Sequence, residues 1–189
     1  MTIDSCTITD SNYGVYTDNA NPRVSNCIFR SIGTYGIYTS GGAPALTGND
    51  FTNGYIGIYC DAAAPWISRS SFTANYYGVY FSLSTKARVE NSTFRDHYYN
   101  GIYVALYSTV DIRDSTFTNN GNSDWYYGGG IRYNGYSGGL CQRNTFTSAD
   151  YGSGVVCYDS SSRWVDACTV DTSYRPAIYS AYHSSPRVT

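Results

Sequence analysis

Tyrosine is the chemical group that this chain repeats most regularly. Of its 22 tyrosines, Tyr16, Tyr38, Tyr59, Tyr80, Tyr103 and Tyr179 each close a tripeptide Gly-(Ile/Val)-Tyr or its relaxed copy Ala-Ile-Tyr. A second set, Tyr13, Tyr35, Tyr55, Tyr77, Tyr99, Tyr127 and Tyr151, stands just ahead of the first. A phenol offers an apolar face that stacks on a sugar ring and a hydroxyl that hydrogen-bonds, and Tyr is favoured where protein surfaces meet. Aligned on one face, Tyr16, Tyr38, Tyr59, Tyr80 and Tyr103 are therefore candidate binding residues, for a polysaccharide or for a neighbouring protein. The same alignment would also stabilise adjacent strands by aromatic packing; both readings use the same atoms.

Acid–base chemistry on a polysaccharide needs clustered carboxylates, a Lys or Arg base, or a His in a cleft. The chain has one lysine, Lys86, two histidines, His97 and His183, and no Asp-Asp pair. Arg132 is the one charged residue in the tyrosine column. Paired with Asp124 it is the best catalytic constellation available, against the plainer reading that a loop carboxylate is simply solvated, and no catalytic residue is assigned. Asp124 lies in a long segment, Asn119 to Gly129, and a loop of this kind commonly adds to a binding face. Its Trp125 and Tyr126 join the candidate binding residues; the alternative is a surface insertion packed by its own aromatics.

The six cysteines contain no CxxC pair, so no metal site is expected, and no cofactor is implied. Cys6, Cys27 and Cys168 occupy the repeat position held elsewhere by Ser70, Ser92 or Ser115, which reads as a small buried side chain. A disulfide between Cys6 and Cys27, or one pair among Cys141, Cys157 and Cys168, is the competing reading.

These residues are positioned by a repeat. The anchoring positions Gly14, Gly36, Gly57, Gly78, Gly101, Gly130, Gly154 and Ala177 are separated by 22, 21, 21, 23, 29, 24 and 23 residues. Two apolar columns run in phase: Ile8, Phe29, Phe51, Phe72, Phe94, Phe117, Phe146 and Val170, and before them Ile3, Val24, Leu46, Ile67, Val89, Ile112, Leu140 and Val165. Each unit thus carries three short strand-like runs, separated by Gly, Asn, Ser, Asp and Pro. Helical periodicity is missing, and four leucines are too few for a leucine-rich repeat. Arg88 and Glu90 around Val89, and Asp111 and Arg113 around Ile112, place opposite charges face to face in neighbouring units.

The unit Pro22-Arg23-Val24-Ser25-Asn26-Cys27-Ile28-Phe29, followed by Tyr35-Gly36-Ile37-Tyr38, resembles the right-handed parallel β-helix repeat of the pectate-lyase-like superfamily, and the likeness covers nearly the whole chain. It implies an all-β solenoid of about eight coils and three short parallel sheets, with residues 1–189 as a single domain. One coil cannot bury its apolar face alone, so stability resides in the stack. Many relatives cleave or epimerise acidic polysaccharides, but the repeat specifies architecture far more than function.

A net charge of −2 with 14% charged residues argues against nucleic acid, which calls for a basic stripe. No run is long and apolar enough to insert in a membrane. Met1 to Cys6 shows no secretion signal, leaving a mature or internal part of a secreted product, or a protein that is not secreted. Pro186-Arg187-Val188-Thr189 repeats the phase of Pro22-Arg23-Val24-Ser25 and of Thr2-Ile3-Asp4. Either the chain is part of a longer β-helix, or subunits stack head to tail through their coil ends into a filament. The expectation is an extracellular or cell-surface structural protein, with a carbohydrate-binding or polysaccharide-processing module as the alternative.

Overall fold

The computed structural model describes residues 1–84, 86–121, 128–148, 152–161, 163–172 and 175–189. Within them the chain winds as a right-handed parallel β-helix of about eight coils, with no helix. Sheet A stacks nine strands from Thr2–Asp4 to Arg187–Val188. Sheet B stacks eight from Thr7–Thr9 to Thr169–Thr172, and sheet C eight from Tyr13–Asp18 to Ile178–Ser180. Each strand pairs in parallel with the strand one coil away, so residues alike in sequence become neighbours in space.

The recurring glycine is explained by the phenylalanines. Phe29, Phe51, Phe72, Phe94, Phe117 and Phe146 stack ring on ring inside sheet B, with centroids 4.7 to 4.9 Å apart. Their edges fill the space that a side chain at the glycine column would need. A Cβ on Gly57 would lie 2.9 Å from Phe72 Cδ1 and 2.6 Å from the Gly78 carbonyl oxygen. Glycine here provides clearance between sheets; no positive φ is involved.

The polar interior residues form ladders at the turns. Between sheets A and B, the backbone N–H of Asn49 donates to Ser70 Oγ, that of Ser70 to Ser92 Oγ and that of Ser92 to Ser115 Oγ, each at 3.2 Å. Cys27 belongs to this ladder, its N–H donating to Asn49 Oδ1 at 3.0 Å and its Sγ accepting from the Cys6 N–H at 3.4 Å. Between sheets B and C the ladder passes through Gly54, Asn75, His97 and Asn120. Between C and A it includes Ser84 with Ser108 and Ser137 with Ser161 and Ser184. Each coil's turn is thus held by its neighbour, which gives these buried amides their partners. The stack even imposes left-handed backbone on Arg69 and Ala167, with φ of 50° and 49°.

One expectation needs correction, and a second holds with a different pairing. The inward residue opposite Ile112 and Val165 is Cys141, whereas Leu140 faces Trp164 on the outer surface. The long coil reaches sheet A one residue later than the apolar pattern suggests, through Gly139 at φ 128°. The charges do align, Arg88 with Asp111 and Glu90 with Arg113. Yet Arg113 pairs with Asp111 of its own strand at 3.0 Å, and Glu90 accepts from Trp66 Nε1 at 2.9 Å. Residues two apart on a strand share a face, and that contact competes with the one across coils.

Candidate functional site

Sheet C presents the tyrosines outward. Its register aligns Tyr16, Tyr38, Tyr59, Tyr80, Tyr103, Arg132, Val156 and Tyr179 in one column, as the spacing predicts. The second set divides differently. Tyr13, Tyr35, Ile56, Tyr77, Asn100 and Gly129 share a register, while Tyr55 and Tyr99 lie one residue earlier, beyond it. The offset is written in the letters: Tyr13, Tyr35 and Tyr77 directly precede the anchoring glycine, whereas Tyr55 and Tyr99 stand two residues before it, with Ile56 and Asn100 between.

Rings in the first column stack through their faces. Tyr16 and Tyr38 lie 4.7 Å apart at 12°, Tyr38 and Tyr59 5.7 Å apart at 6°, and Tyr59 and Tyr80 5.0 Å apart at 19°. Most ring faces are therefore occupied by neighbouring rings, and what this stretch offers a partner is edges and hydroxyls. The pattern ends at Tyr103, which meets Tyr80 edge on at 71°.

A recess of about 360 Å³ opens where the stack ends, lined by Tyr55, Tyr77, Tyr80, Tyr99, Asn100, Tyr103, Gly128 and Arg132. Its origin is a change of residue size along one register, since Tyr77 is followed by Asn100 and then Gly129. Aromatic bulk disappears for two coils, and the space it would fill becomes a hollow. The guanidinium carbon of Arg132 lies 5.3 Å from the ring centroids of both Tyr103 and Tyr158, a cation–π arrangement that holds the charge in place. Tyr103 is fixed from its far end, where its hydroxyl accepts from Asn134 Nδ2 at 2.7 Å.

Burial, reinforced by the neighbouring phenols, pushes the Tyr77 hydroxyl up to about 12 and raises that of Tyr80 as well. Both remain protonated at neutral pH, so they hydrogen-bond and do not act as bases. Among the described residues lining the recess there is no carboxylate and no histidine. The recess thus combines ring edges, hydroxyls, an amide and one fixed cation, which suits binding a polar ring-shaped ligand.

Of the sequence candidates, Tyr80 and Tyr103 meet at the recess. Tyr59 stacks beside it, and Tyr38 and Tyr16 lie successively farther along the column. Trp125 and Tyr126, with Asp124, lie outside the described residues. Sequence reasoning did not select Asn100, Tyr158 or Asn134. A usable signal for Asn100 existed, a small polar residue in the slot before glycine where Tyr77 stands one coil earlier. Tyr158 and Asn134 directly follow the strands Ser153–Cys157 and Gly129–Tyr133 and carry no repeat signal.

Comparison with protein families finds a match to the right-handed beta helix region over residues 1–130 and 57–189. The chain belongs to the right-handed β-helix family. The pectate-lyase-like likeness of the repeat is consistent with that membership. No curated protein matches the chain.

Proposed function

We propose that this β-helix is a carbohydrate-binding module acting outside the cell, with the recess at Tyr77, Tyr80, Asn100, Tyr103 and Arg132 as its main subsite. The observation that supports this reading is the recess itself, a hollow of saccharide size whose walls carry hydroxyls, an amide and a guanidinium on a rigid sheet. Ligand pockets of this kind bind through a few placed polar groups among apolar walls. The parallel tyrosine stack beyond it extends the surface with a row of phenol edges, suited to the hydroxyls of a longer glycan. Affinity electrophoresis through gels containing soluble polysaccharides tests the proposal. Retardation by at least one of them, abolished by Tyr103→Ala combined with Arg132→Gln in a folded protein, is the expected result. Unchanged mobility in a panel of neutral and acidic polysaccharides rejects it.

A second reading, a structural subunit that joins copies of itself by adding coil to coil, draws on the uniform register of the stack. The same three-strand cross-section recurs throughout, so a coil of one copy carries the backbone groups and apolar residues that pair with a coil of another. Light scattering over a range of concentrations separates the two: a monomer that persists at high concentration removes the structural reading and leaves glycan binding untouched.

A further inference from the structure

The interior near the sheet A turns of the last coils gathers three of the six cysteines around a buried cation. Arg163 is almost wholly buried and lies over the Tyr133 ring, its guanidinium carbon 3.5 Å from the centroid. Its Nε donates to Cys157 Sγ at 3.3 Å, which engages that thiol. The other two thiols meet each other, with Cys141 Sγ 3.7 Å from Cys168 Sγ. Cys141 points inward from strand Leu140–Gln142 and is fully buried. Cys168 occupies the turn after strand Trp164–Asp166 and is half-buried, so a solution reagent can reach it.

We propose that Cys141 and Cys168 form a disulfide that staples these two coils together. All six cysteines are thiols in this structure, and the two sulfurs are in van der Waals contact at 3.7 Å, against about 2.05 Å in a disulfide. Cys6 and Cys27 each direct Sγ to a carbonyl of their own strand, Asp4 O and Ser25 O, as Cys168 does to Asp166 O. What sets Cys168 apart is its contact with the Cys141 sulfur, whereas Cys157 is held by Arg163 and Cys60 is fully buried. Around the pair, Asn144 Nδ2 donates to Cys141 Sγ at 3.3 Å. The Cys168 thiol is held below its ordinary range by hydrogen bonds from Cys141 and Asn144, which makes the more accessible sulfur also the better nucleophile.

The oxidant is a small-molecule disulfide. The Cys168 thiolate attacks one of its sulfurs, forming a mixed disulfide and expelling one thiolate. Cys141, losing its proton to solvent, then attacks Cys168 Sγ and expels the second. One external disulfide is reduced to two thiols, and one internal disulfide is formed. The link closes the chain between residues 141 and 168 and prevents the coil between them from opening independently of its neighbour.

The test uses the full chain purified under reducing conditions and then exposed, folded, to oxidised glutathione. After quenching and alkylation, peptide mass mapping should find Cys141 joined to Cys168, lighter by two hydrogens, with Cys27, Cys60 and Cys157 alkylated. Tm should rise by several degrees and return on adding reductant. Cys168→Ser is the control, since serine fills the same ladder position at Ser70, Ser92 and Ser115. It should fold with the Tm of the reduced protein and lose the response to oxidant. Full alkylation of Cys141 and Cys168 after oxidation, linkage of either to another cysteine, or an unaltered response in Cys168→Ser would each overturn the proposal.

Discussion

Tyr80 and Tyr103 meet edge to face, their ring centroids 4.8 Å apart and their planes at 71°, at the coil where a stack of near-parallel tyrosines stops. Below that point each ring covers the face of the next. Above it Arg132 takes the column position, and the neighbouring register narrows from Tyr77 to Asn100 to Gly129. A break in an otherwise uniform array thus opens a lined hollow at sheet C, and the binding proposal is located there.

Refilling that hollow should abolish binding while sparing the fold. Asn100→Tyr restores the aromatic residue that Tyr77 supplies one coil earlier, on a strand whose register already accepts it. The expected outcome is loss of polysaccharide retardation by tenfold or more in affinity, roughly 1.4 kcal/mol, with Tm within a few degrees of the parent. Retained binding in Asn100→Tyr would move the site elsewhere on the surface.

The glycine column should be intolerant of even one carbon. In Gly57→Ala the new Cβ meets a backbone carbonyl and a stacked Phe72 ring, neither of which can withdraw, so a loss of about 3 kcal/mol is expected from overpacking. Gly33→Ala is the contrast. Its nearest neighbour is the Oδ1 of exposed Asn12, the end of a flexible side chain, and a change within about 0.5 kcal/mol is expected. Urea denaturation of the two variants measures the difference.

His97 should make the fold acid-sensitive. Full burial lowers its imidazole to about 4, from the ordinary 6.5, and Nδ1 accepts the Asn75 N–H at 3.1 Å only when unprotonated. The unfolded chain binds the proton more readily, so stability is complete above the unfolded value near 6.5 and falls as pH drops toward 4. The total loss is on the order of 3 kcal/mol. In His97→Asn, which keeps an acceptor like Asn75 and Asn120 in the same ladder, the urea midpoint should vary less between pH 7 and pH 4.5.

The ladder between sheets A and B should distinguish loss of a partner from loss of size. Asn49 accepts from the Cys27 N–H and donates through Nδ2 to the Val24 carbonyl at 2.9 Å. Asn49→Ala leaves both groups buried and unmatched and should cost about 2 to 4 kcal/mol. Asn49→Ser reproduces the residue found at Ser70 and Ser92, keeps the acceptor, and should cost less than half as much in thermal or urea unfolding.

The amino-acid sequence by itself determined the coil. Equal spacing of Gly, Phe and the Ile/Val columns forces like residues into adjacent strands, because no unit can bury its apolar face without a neighbour. That one constraint made the three parallel sheets, the inward Phe stack and the tyrosine column legible as letters. Where a residue's surroundings depend on coils of unequal length, the letters were silent or misleading. Leu140 yielded its inward place to Cys141 after the long coil, and Arg113, though aligned with Glu90 across coils, made its ion pair along its own strand. Only the tertiary structure decided that ring faces in the tyrosine stack are used up, that a recess opens beside Asn100, and that Cys141 meets Cys168. Each of those outcomes is set by angstrom-scale differences in side-chain direction and turn length, and these are fixed by packing between coils, which a repeat of residue types does not encode.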